Sequence, residues 1–88
     1  MRFRFVSICN GCPEDYNILL SGRVVGYLRI RWGVVKIYFG RESSQLVIYQ
    51  KTFQGDPWKG CFEGDEREYF FNLARKLIRK RIFSLIPK

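Results

Sequence analysis

The chain has no histidine, which removes the commonest general base and a common neutral metal ligand. Carboxylates are scarce as well. Among 88 residues, eight Asp and Glu stand against sixteen Lys and Arg, a net charge of +8. That balance excludes an acidic mimic of DNA. It favours nucleic acid, a nucleotide, anionic lipid or an acidic protein surface as partner. No apolar run approaches the length of a membrane span, so no membrane partner is expected. The apolar stretch Phe5–Cys9 is too short for the core of a secretory signal. Reduced thiols and a cytoplasmic location are the resulting expectation. A phosphate-cradling glycine loop is also missing, because Gly55–Gly60 lacks the strand and helix that such a loop joins. The carboxylates that do cluster read as a turn (Glu14, Asp15) and a helix start (Asp65, Glu66, Glu68). Neither an enzyme nor a cofactor is expected.

What is present is enough for a core. Apolar residues make up 47% of the chain and aromatics 17%, far from a disordered composition. One domain over residues 1–88 is expected. Arg2–Ile8 alternates as a first strand with Phe3 and Phe5 inward, Tyr16–Leu20 reads as a second, and Ser21-Gly22 turns the chain into a third, Arg23–Arg31. Gly26 in that strand predicts a bulge or a close approach. Trp32-Gly33 turns into a fourth strand, Val34–Phe39, and Gln45–Phe53 is a fifth. The Gly- and Pro-punctuated segment Gln54–Gly64 is a loop. A helix follows from Asp65, with Asp65 and Glu68 spaced as a capping box. Its stripe of Phe70, Leu73, Ala74, Leu77 and Ile78 is widened by Phe71, Ile82 and Leu85, and Pro87 stops it. The fold class is α+β, a meandering antiparallel sheet of about five strands with the C-terminal helix packed across one face.

Strand alternation then sorts the side chains. The Trp32-Gly33 turn pairs Ile30 with Val35 and Leu28 with Ile37. With Phe39, Leu46 and Ile48 these form the apolar face under the helix. The other face pairs Tyr27 with Tyr38 and Arg29 with Lys36, and places Arg31 beside the turn. On alternation alone Tyr49 and Lys51 join it, with Ile18, Leu20 and Val25 as an apolar border. Like charges opposed across strands cost stability, so this face points to an anionic partner. Tyrosines can stack on bases while Arg and Lys neutralise phosphate. The border also suits a protein contact or a homodimer through the open face.

Two further groups carry possible chemistry. Arg75, Lys76, Arg79 and Lys80 lie on the helix face opposite the apolar stripe, and no carboxylate follows Glu68 to offset them. They are a secondary site for phosphate, or a solvated face favoured by the helix dipole. Cys9, Cys12 and Cys61 are metal candidates by residue type. A structural zinc site generally takes four ligands, so structural bystanders are expected instead. In size and composition the whole chain resembles small phage-encoded accessory proteins, including inhibitors of bacterial defence systems. That resemblance implies a compact domain without catalytic machinery and transfers no residue. The expected function is a non-catalytic basic module binding nucleic acid or a nucleotide through the Tyr/Arg/Lys sheet face. The alternative is an inhibitor that binds a host protein, such as a nucleic-acid-handling enzyme, through the same face.

Overall fold

A computed structural model describes residues 1–41 and 43–86; Pro87 lies outside them. Strands β1 (Phe3–Ser7), β2 (Glu14–Leu20), β3 (Arg23–Arg31), β4 (Val34–Phe39) and β5 (Leu46–Thr52) precede one helix, α1 (Glu66–Leu85). The strands form a single antiparallel sheet in chain order, and the helix covers one face of it. This is the α+β meander that alternation and the helical stripe predict. No described helix is long and apolar enough to cross a membrane.

The β3–β4 hairpin carries the register expected of a two-residue turn. Leu28 opposes Ile37, Ile30 opposes Val35, Tyr27 opposes Tyr38 and Arg29 opposes Lys36. Leu28, Ile30, Val35 and Ile37 are fully buried and meet Phe70, Ala74 and Ile78 of α1. Phe3 is buried beside them, and Phe5 stacks on Phe71 with centroids 4.1 Å apart.

Two bulges break the alternation elsewhere. The first falls at Ile18/Leu19, where Ile18 pairs with Gly26 but Leu19 pairs with Val24. Val25 is the extra residue. Tyr16 and Ile18 therefore point to the helix side, and Ile18 is fully buried. Leu20 and Val25 also pack against the core. The open face instead receives Leu19 and Val24 here, with Asn17 opposite Tyr27 and Asp15 opposite Arg29. The second bulge lies at Ile37/Tyr38, where Ile37 pairs with Tyr49 and Tyr38 with Val47. Ile48 is extra, so Tyr49 and Lys51 belong to the helix side rather than the open face. Each inserted residue reverses the phase of the strand beyond it. Leu46 ends up 55% exposed despite its inward phase, because it sits at the sheet edge.

Four local expectations change. Glu14 and Asp15 open β2 instead of forming a turn. Asp65 occupies the N-cap position but makes no side-chain capping bond. The Glu63 N–H instead donates to Glu66 Oε1 at 2.8 Å. The basic residues of the helix, expected to be favoured by its dipole, stop short of the last helical turn. Leu85 is 70% exposed and does not widen the stripe.

The loop after β5 is fastened at several points. The Gly33 N–H donates to the Lys59 carbonyl at 2.9 Å and the Glu14 N–H to the Gly60 carbonyl at 2.8 Å. Cys12 and Cys61 form a disulfide with Cα atoms 5.3 Å apart, while Cys9 is free and exposed. This corrects the expectation of reduced bystander thiols. The two cysteines are 49 residues apart in sequence, and only the folded chain brings them together.

Glu14 is the buried charge that joins these parts. It is 6% exposed. Arg67 grips it with Nε to Oε1 at 2.8 Å and Nη2 to Oε2 at 2.9 Å. The Phe62 N–H donates to Oε2 at 2.7 Å, and the Tyr16 hydroxyl donates to Oε1. Burial works against the charge, but the donors of Arg67, Tyr16 and Phe62 outweigh it and hold the carboxyl below its ordinary 4.5. A carboxylate with a lowered folded pKa stabilises above its unfolded pKa, and that stability is lost as pH falls through the folded value. Glu14→Gln is therefore expected to cost about 2 kcal/mol at pH 7. The gap to the parent protein should narrow as both are unfolded at progressively lower pH. Urea melts at pH 7 and in strong acid check it, and a pH-independent gap would contradict it.

Gly26 sets how closely the helix approaches. A Cβ there would lie 2.6 Å from the Tyr38 carbonyl oxygen and 2.7 Å from Ile78 Cδ1. The Ile78 side chain can turn, but the backbone oxygen cannot. Gly26→Ala is expected to destabilise by about 2 kcal/mol through overpacking, read as a lower urea midpoint with an unchanged slope.

Candidate anion-binding face and its tryptophan cleft

The face turned away from α1 is built by the β3–β4 hairpin. Arg29, Arg31 and Lys36 line one concavity of about 260 Å³ with Trp32, Val34 and Gln50. Among the described residues, none of these three cations has a carboxylate oxygen within 4.0 Å. Asp15 is the acidic neighbour, opposite Arg29 on the β2 side, and its Oδ1 is buried without a hydrogen-bond partner. Lys36 flanks Arg29 on the other side. The arrangement leaves two cations directly opposed and a third beside the turn, a geometry that an incoming anion relieves.

Tyr27 and Tyr38 continue this face with ring centroids 5.5 Å apart. Burial, together with the nearby Asp15 carboxylate, pushes the Tyr27 phenol up to about 12. It therefore stays protonated and can donate. Of the residues expected here, Tyr27, Arg29, Arg31, Lys36 and Tyr38 come together. Tyr49 and Lys51 do not: Tyr49 approaches Phe70 with centroids 6.5 Å apart, and Lys51 Nζ lies 5.4 Å from the Phe53 ring centroid.

The second basic group is on the far side of the molecule, on the outer surface of α1. Arg75 donates to Asn72 Oδ1 at 2.7 Å and lies 4.9 Å from the Phe5 ring centroid. Lys76, Arg79 and Lys80 are exposed. One flat ligand cannot touch both groups at once.

Strand alternation does not reveal a further feature at the hairpin tip. Trp32 is 58% exposed and Trp58 is 76% exposed, and their rings meet edge to face with centroids 5.4 Å apart. The loop fastenings bring Trp58 here, since a Cβ on Gly33 would lie 2.5 Å from the Asp56 carbonyl oxygen. The Arg31 guanidinium carbon lies 5.7 Å from the Trp32 ring centroid. The sequence does carry a signal for Trp32: it occupies a turn position that normally takes Asn, Asp or Gly. No such local signal marks Trp58.

No protein-family model matches this chain, and neither the curated proteins nor the solved structures compared with it include a match.

Proposed function

We propose that the open face of the sheet binds an anionic partner, nucleic acid or a nucleotide, without catalysing a reaction on it. The observation that carries this reading is the concavity where Arg29, Arg31 and Lys36 converge with no carboxylate within 4.0 Å of them among the described residues. Guanidinium and ammonium groups held this way offer forked and point contacts to phosphate. The adjacent Tyr27–Tyr38 pair offers faces for bases. Charge of this kind supplies most of the affinity of sequence-tolerant binding.

A protein partner is the second reading, favoured by the exposed Trp32–Trp58 pair. Tryptophan and arginine are the side chains in which interface energy concentrates. An inhibitor of a nucleic-acid-handling host enzyme could use the same face. The sequence leads to the joint expectation of a cytoplasmic location and reduced thiols. The Cys12–Cys61 bond favours an oxidising compartment instead.

Fluorescence anisotropy on a labelled single strand and a labelled duplex tests the first reading. Both are expected to bind at low salt, the single strand more tightly because its bases are free to stack. Absence of binding to either, and to free nucleotides, would remove this reading and put the protein partner first.

A further inference from the structure

We infer that the cleft bordered by the edge-to-face pair of Trp32 and Trp58 is a stacking site for one unpaired nucleobase, laid on an exposed indole face and belonging to a strand whose phosphates lie on Arg29, Arg31 and Lys36. This rests on the nucleic-acid reading above and adds a site to it.

The first support is a conflict between Trp32 and its own backbone. Trp32 has φ +54° and Gly33 has φ +72°, the two positive values of a type I′ hairpin turn. Glycine adopts this conformation freely, and Asn or Asp tolerates it. A bulky side chain there is strained. Burial does not offset the strain, because the ring is 58% exposed. A residue that is unfavourable where it sits, and displayed rather than packed, points to a role outside the fold.

The second support is that a separate element brings the other ring. Trp58 comes from the loop after β5, which is hydrogen-bonded to the hairpin tip through Gly33 and Lys59 and tied to the start of β2 through the Cys12–Cys61 bond. Two aromatic rings from distant parts of the chain thus border one cleft of about 480 Å³. That volume lies in the range of small-molecule sites.

Charge decides what the cleft takes. Lys59 lines it, but its ammonium is already held at 3.0 Å from Glu66 and 3.7 Å from Glu63. Asp56 and Glu63 also line it. These carboxylates disfavour a phosphate and offer acceptors to the amino and ring N–H groups of a base. Arg31 and Trp32 line both this cleft and the basic concavity. The two sites are therefore contiguous, one suited to a neutral ring and the other to its phosphate. This is the division that single-strand binding requires.

The chain has two tryptophans and both border the cleft, so tryptophan emission, excited selectively over the tyrosines, reports on this site, and Trp58 separates it from the basic concavity that Trp32 also lines. The test titrates the oxidised full chain with a 12-nucleotide single strand and with the same strand carrying abasic sites, at low salt. Expected are fluorescence quenching by the base-bearing strand and about ten-fold weaker binding of the abasic strand. Trp58→Ala should lose about the same ten-fold for the base-bearing strand and nothing for the abasic one. Trp32→Asn should do likewise with no fall in Tm, since asparagine suits the turn. Trp58→Ala lies on a loop and keeps the test decisive should Trp32→Asn misfold. Equal binding of both strands without quenching overturns the stacking site and leaves the phosphate-binding face standing. Failure of both strands to bind overturns the face reading, and this site with it.

Discussion

Replacing Cys12 and Cys61 by serine is expected to lower the unfolding free energy by about 4 kcal/mol. The bond closes a loop across a sequence separation of 49, and the chain-entropy cost of leaving such a loop open is of that size. A domain of this length has only about 4–13 kcal/mol to lose, so the variant should be close to unfolding at 37 °C. The bond also fixes the loop that carries Trp58, so reduction should loosen the aromatic cleft before the sheet. Urea melts with and without reductant measure the first effect. Alkylation under native, non-reducing conditions should modify Cys9 alone, and all three cysteines should react after reduction and unfolding. Equal urea midpoints in both redox states would contradict the assigned role.

What could be read from the sequence follows from where the chain obeys simple periods. The β3–β4 register was legible because a two-residue turn permits only one pairing, and both flanking runs alternate cleanly. The helix was legible from Phe70, Ala74 and Ile78, spaced one turn apart. The placement of Tyr49 and Lys51 was not. Ile48 is one more apolar residue in an apolar strand, and nothing in its type announces a bulge. Gly26 did announce irregularity, but not on which strand the extra residue would fall. The loss of Ile18 and Leu20 from the open face follows from that single residue. The disulfide was hidden for another reason. The spacing of Cys9 and Cys12 draws attention to each other, whereas Cys12 pairs across space with Cys61. Trp58 sits in a segment with no period, so only the closed loop shows where its ring goes.

Reversing charge at the hairpin should have the larger functional effect. Arg29→Glu with Arg31→Glu is expected to weaken single-strand binding about a hundred-fold, at roughly 1.4 kcal/mol for each lost charge-assisted contact. Arg79→Glu with Lys80→Glu, on the opposite side of the molecule, should change it by less than about three-fold, a screened long-range effect. Arg29→Glu would face Asp15 across the β2–β3 pair, so some loss of stability is expected in the double variant. Arg31 is exposed beside the turn, and Arg31→Glu alone should give about ten-fold without that complication. Near-UV circular dichroism establishes that each variant keeps its fold. If the helix variant lost more affinity than the hairpin variant, the binding surface would be the outer face of α1.

The salt dependence of single-strand affinity tests the central claim most directly. Three phosphates neutralised by Arg29, Arg31 and Lys36 should give a slope of log affinity against log salt near −2, at about −0.7 for each contact. The Arg29→Glu, Arg31→Glu double variant should flatten that slope. A slope near zero for the parent protein, or one that survives the double substitution unchanged, would show that this face does not hold the phosphates.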